Sequence, residues 1–247
     1  TFLSFSRNYD MTPSQQINKY KFGAGSIIFY IKYAISKGFK NILFNLRKSK
    51  SLKIFRANYL PLSCRYSDFD GDVVIVGSDE VFSVDVGVNH FFFGHGIPCS
   101  KIISYAGCFG PTTVETLSKR HLNELVASGL KKLNAVSVRD KNSQEIIQAV
   151  ANINPEIVCD PVILYGYTQE MNAEKPDIDN YIVVYSYDKN MNSAPEITAI
   201  KKFAKDQNCK IVSVGMYHSW CDRNEVSSPL GLLTWIKNAK YVITHFS

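Results

Sequence analysis

The chain lacks a long hydrophobic run. Its most apolar segment, Ile27 to Ile35, is interrupted by Lys32 and is far too short to span a bilayer. The opening residues do not resemble a signal peptide, because no basic stretch leads into an apolar one. The six cysteines form no CxxC pair and no framework spacing. That excludes the common zinc patterns and a disulfide scaffold, and fits reduced, buried thiols in a cytosolic protein. A GxGxxG loop is missing, so a nicotinamide site of the usual kind is unsupported. His90 and His95 flank an aromatic run without the carboxylate spacing of a metal site, and His218, Cys221 and Asp222 lack a fourth ligand. No metal and no cofactor is expected. The most pointed absence is of acid: between Asp10 and Asp68 there is none, while 11 lysines and arginines accumulate from Lys19 to Arg65. Such a segment suits a solvated basic surface, an anionic membrane surface or a phosphorylated substrate; no nucleic-acid-binding signature accompanies it.

What is present is ordinary globular material. The 247 residues are 45% hydrophobic and 20% charged, enough for a real core and roughly one to two domains. Val73 to Val76 reads as a strand buried on both faces, broken by Gly77. Further strands are expected at Ile102–Ala106, Ala135–Val138, Ile157–Cys159, Tyr181–Tyr187, Lys210–Val214 and Tyr241–Thr244. Helices are expected from Thr12-Pro13, over Ser26–Ser36, Val114–Lys132, Ser143–Ala151 (with Asn142 and Glu145 as a capping box), Pro195–Asp206 and Ser228–Asn238. Leu43–Tyr59 is helical or irregular, and 216–226 is loop. Strand and helix alternate, so the fold class is α/β, with two Rossmann-like doubly wound domains. Residues 1–165 form the first and 166–247 the second, after a linker rich in acids, Asn and Pro. Both ends of the chain read as cut into their domains.

In open α/β sheets ligands gather at the carboxyl ends of the strands, so candidate residues lie there. Arg139 can bind a carboxylate or phosphate bidentately; the structural alternative is an Arg paired with Asp140 or Asp160. Asp79 is a candidate general base beside Gly77 and Ser78, or simply a turn residue. Gly107, Gly110 and Pro111 form a loop whose backbone N–H groups can cradle an anion, and Tyr105 precedes it as a substrate-binding candidate. His245, just past the last strand, is a candidate proton donor or phosphate ligand.

Five stretches occur in one order: Asp72 to Phe82, Lys101 to Gly110, Ala135 to Asp140, Val158 to Leu164 and Asn238 to Thr244. Together they resemble the polysaccharide pyruvyl transferase family. The resemblance implies a GT-B-like architecture with an interdomain cleft. It implies transfer of a pyruvyl group from phosphoenolpyruvate to sugar hydroxyls of a cell-surface polysaccharide precursor, giving a cyclic ketal and phosphate. Arg139 then matches the family's donor-holding Arg, and Gly77, Ser78 and Asp79 its acceptor or base motif. The family's histidine is expected just beyond Ser247, close to His245. Glu80 and Phe82 stand where the family usually has Gln and Trp, and Cys108 where it has Ser. The expected site of action is cytoplasmic, at the inner membrane face, with the basic 19–65 segment near a lipid-diphosphate-linked saccharide. The alternatives are a nucleotide-sugar glycosyltransferase of GT-B architecture and a non-catalytic saccharide-binding relative.

Overall fold

The structure, a computed structural model, describes residues 2–4, 38–60, 62–65, 69–85, 87–170, 176–187 and 190–245. The helices expected from Thr12 and over Ser26–Ser36 lie outside the described residues. In chain order the elements begin with β1 (Phe2–Ser4), α1 (Phe39–Tyr59), β2 (Leu62–Arg65) and β3 (Val74–Val76). They continue with β4 (Ile102–Gly107), α2 (Val114–Lys119), α3 (Asn123–Leu130), β5 (Ala135–Val138), α4 (Lys141–Ala151), β6 (Glu156–Ile157) and α5 (Pro161–Tyr165). The last are β7 (Tyr181–Tyr185), α6 (Ala194–Asp206), β8 (Lys210–Val214), β9 (Arg223–Glu225), α7 (Pro229–Asn238) and β10 (Tyr241–Thr244). Two compact units result: one holds 62–166 with β1, the other 167–245 with α1.

In the first unit the sheet order is β3-β4-β5-β6, all parallel. Each connection steps in the same direction. Right-handed crossovers that never reverse place every connecting helix on one face. The core records this: Val74, Val76, Ile102 and Val138 pack with Val126 and Leu130 of α3 and Ile146 and Ile147 of α4. The other face of β3 is open, with Ile75 65% exposed. The expectation that Val73–Val76 is buried on both faces is therefore wrong; among the described residues β3 is an edge strand of a sheet with helices on a single side.

The second unit reverses. Its order is β10-β7-β8-β9, again parallel, so α6 and α7 cross on opposite faces. Successive residues of β7 alternate accordingly. Ile182 and Val184 join Ile200 and Ala204 of α6, whereas Tyr181 and Val183 join Trp235 of α7. Tyr181 is buried and donates its hydroxyl hydrogen to the Trp235 carbonyl at 2.7 Å.

Several elements differ from expectation for local reasons. The helix expected over Val114–Lys132 is two helices. His121 is left-handed (φ 55°), with His121 N–H on the Ser118 carbonyl and Leu122 N–H on that of Leu117, the double bond of a Schellman stop. Helix α4 is capped by Asp140, whose carboxylate accepts from Ser143 N–H at 2.8 Å, and not by Asn142. Asn142 instead donates to the carbonyls of Gly110 and Thr112. Residues 223–225, expected as loop, form edge strand β9, and Phe2–Ser4 pairs in parallel with β2 where no leading strand is expected. Ser228 and Pro229 cap α7 as expected. No helix among the described residues is long and apolar enough to cross a membrane.

Candidate active site

Because β3 to β6 run parallel, their carboxyl ends share one edge, and each contributes to a single cluster. Gly77 follows β3. A Cβ there would sit 2.4 Å from the Tyr105 carbonyl oxygen, so only glycine lets the ends of β3 and β4 approach this closely. The Gly77–Ser78 peptide is cis. Gly107 meets a similar demand, since a Cβ would lie 2.3 Å from the Phe82 ring. Phe82 is fully buried against Phe93 and Phe109, and its N–H donates to the Cys108 carbonyl at 3.1 Å. These contacts fix the loop after β3 to the loop after β4.

Arg139 follows β5 directly. Its Nη1 donates to Asp160 Oδ2 at 2.8 Å, and its Nη2 donates to Asp79 Oδ1 at 2.5 Å and to Cys108 Sγ at 3.5 Å. Partial burial opposes the guanidinium charge, but Asp79, Asp160 and Cys108 outweigh it and hold the group more basic than an ordinary arginine. Asp160 is the residue sequence reasoning treated only as a structural partner. The signal was available: it stands after β6, before Pro161, at the same edge as Asp79 and Arg139. Its second oxygen accepts from Val162 N–H at 2.8 Å and caps α5. Asp140, the other expected partner of Arg139, is committed to α4. Ser143 Oγ, which donates to Asp140, also accepts from Phe109 N–H at 2.9 Å, tying α4 to the loop after β4.

Tyr105 spans β5 to donate to the Cys159 carbonyl at 3.1 Å, and Ser78 lies at the turn beside Gly77. Gly110 is left-handed (φ 56°), and its N–H is directed to Cys108 Sγ at 3.1 Å. The structure thus brings Gly77, Asp79, Tyr105, Gly107 and Arg139 to one edge of one unit. His245 belongs to the other unit. It is exposed at the end of β10, with Nδ1 3.4 Å from Asn190 Nδ2. The strand order of that sheet reverses between β7 and β10, and crevices at such reversals are where open α/β sheets take ligands.

Other polar features of the second unit have structural explanations. His218 is buried, with Nε2 3.2 Å from the Ser186 carbonyl. Burial, with Asp222 adding to it, pushes the Cys221 thiol up to about 12, and Asp222 accepts from Ile211 N–H. Among the described residues no group of three or more His, Cys, Asp or Glu is placed to hold a metal. A depression of about 490 Å³ lined by Asp177, Lys210, Asp222 and Arg223 lies at the amino edge of the sheet, with Arg223 and Asp177 paired at 2.6 Å. Of the described thiols only Cys108 is buried and Cys159 is exposed, so the expectation of uniformly buried cysteines does not hold.

A parallel α/β sheet presenting a guanidinium held by two carboxylates at its carboxyl edge is a candidate site for an anionic substrate group. The model of the polysaccharide pyruvyl transferase family matches residues 15–246, and the chain belongs to that family. It is an enzyme of this type, for which the family implies a polysaccharide acceptor. Comparison with curated proteins and with solved structures returned no match.

Proposed function

We propose that this enzyme transfers a pyruvyl group from phosphoenolpyruvate to two hydroxyls of one sugar in a cell-surface polysaccharide precursor. The observation that carries the reading is Arg139 at the carboxyl end of β5, within hydrogen-bond reach of Asp79 from β3. The donor bears a carboxylate and a phosphate, and a guanidinium is the side chain whose planar donors match either group. Addition of a proton to the methylene carbon makes C2 electrophilic. One sugar oxygen then bonds to C2 as its hydroxyl proton leaves, and the second displaces phosphate in the same way. Of the two hydroxyl protons, one balances that gained by the new methyl group and the other leaves with phosphate. Asp79 is the base for a sugar hydroxyl and Arg139 holds the donor's anionic groups, while His245 is the second unit's own candidate proton donor or phosphate ligand. Gly77, Ser78, Tyr105 and Gly107 line the approach. No cofactor is needed for this chemistry. The GT-B-like architecture is part of the proposal, on the ground that each unit carries its own parallel sheet with a functional carboxyl edge.

The same reading places the enzyme at the cytoplasmic face of a membrane, acting on a saccharide linked to a lipid diphosphate. Support comes from α1, which has no acidic residue and exposes Lys40, Arg47, Lys50 and Lys53 beside Phe39, Leu43, Leu46 and Ile54.

The test is phosphate release from phosphoenolpyruvate in the presence of a saccharide acceptor. Release that depends on both substrates is expected, and Arg139→Ala lowers it on the order of a hundredfold or more. Stabilisation by a nucleotide-sugar with none by phosphoenolpyruvate would replace this reading with a glycosyltransferase.

A further inference from the structure

The two carboxylates on Arg139 are held very differently. Asp160 is 21% exposed and is fixed a second time through its cap bond to Val162 N–H. Asp79 is 80% exposed, and its carboxylate has no second partner among the described residues. Arg139 itself is 27% exposed, so Asp79 covers the side of the guanidinium that solvent reaches. Two carboxylates on one guanidinium leave the cluster net negative, a poor landing place for a donor that carries both a carboxylate and a phosphate. An exposed ion pair is weakly held, whereas one anchored by a helix cap resists displacement.

We infer that Asp79 occupies the anion site of Arg139 until the donor displaces it, while Asp160 keeps the guanidinium in place. The inference rests on the proposed pyruvyl transfer and adds its order of events. Donor binding removes Asp79 from Arg139, and the released carboxylate becomes free to accept a hydroxyl proton from the sugar. The base is therefore released from its ion pair only when an electrophile precursor is present, so the donor binds first and the acceptor second. Asp160 acts through Arg139 and is a positioning residue.

Calorimetric titration of phosphoenolpyruvate into the wild-type chain, Asp79→Asn and Asp160→Asn tests this. Both substitutions remove one negative charge, and Asn still serves as a cap at 160, so the two variants separate exchange from simple electrostatics. Asp79→Asn is expected to bind the donor more tightly, by roughly tenfold if the covered state is about nine-tenths populated. Asp160→Asn is expected to bind it more weakly, and Asp79→Asn to lose acceptor-dependent phosphate release on the order of a hundredfold. Equal tightening in both variants reduces the effect to net charge and overturns the inference. A wild-type chain that binds the donor while Asp79→Asn binds it no better overturns it too, leaving pyruvyl transfer intact. Absence of donor binding in all three proteins removes both.

Discussion

The Nε2 atom of His90 is buried without a hydrogen-bond partner among the described residues. Burial lowers the pKa of this ring below its ordinary 6.5, and the His95 ring, 5.9 Å away between centroids, acts in the same direction. His95 itself sets Nε2 2.9 Å from the Leu125 carbonyl and Nδ1 3.1 Å from Lys132 Nζ. As pH falls, the unfolded chain binds a proton at His90 before the folded one does. The stability this group contributes is present above pH 6.5 and is lost as pH drops toward the lowered folded value. The thermal midpoint of the first unit is therefore expected to fall between about pH 7 and about pH 5. In His90→Gln that portion of the profile flattens; an unchanged slope would show that the folded ring already takes up its proton as the unfolded one does.

At the scale of elements, α1 leaves much of its surface unexplained by its own packing. One side is anchored, with Asn41 and Phe44 buried and Phe44 against Tyr217 at 5.8 Å between ring centroids. Phe39, Leu43 and Leu46 follow one another at spacings of four and three, and Ile54 returns to the same arc two turns later. Lys40, Arg47 and Lys53 flank that arc and Lys50 lies within it, an arrangement that lets apolar side chains enter the headgroup boundary while cations meet phosphate. Vesicles containing anionic lipid should retain the protein at low salt, and replacing Lys50 and Lys53 by Gln should weaken retention by about 1 kcal/mol per charge. Equal retention by neutral vesicles would remove the idea. The sequence spoke clearly for some elements and not for others, and the reason is physical. Strands β5, β8 and β10 and helix α7 carry their own pattern or cap, and their bounds were readable from the residues. Strand β9 is Arg-Asn-Glu, paired only because β8 offers an edge, so no periodicity announces it. The stop at His121 depends on a backbone angle that histidine adopts uncommonly. Within the site, Gly77, Asp79 and Arg139 were visible from strand ends. The bracing role of Asp160 required knowing that β6 pairs with β5, which is a tertiary fact.

Considered whole, the described molecule has its apolar clusters sorted by unit. The cluster built on Phe82, Leu130 and Ile146 draws only on the unit that carries Arg139. Those on either face of β7 draw only on the unit that carries His245. Cooperativity in unfolding comes from shared burial, so separate cores predict separable transitions. Ile182 is fully buried beneath α6, and Ile182→Ala should destabilise its own unit by about 2–5 kcal/mol, the range for truncating a buried aliphatic side chain to alanine. Hydrogen exchange gives the reading by element. Amides of β7, β8 and β10 should lose protection in the variant while those of β4 and β5 keep theirs. A uniform loss across both groups would mean that the units open together. In that case donor binding at Arg139 would stabilise β7 as much as β4, and the same exchange measurement with phosphoenolpyruvate added would register it.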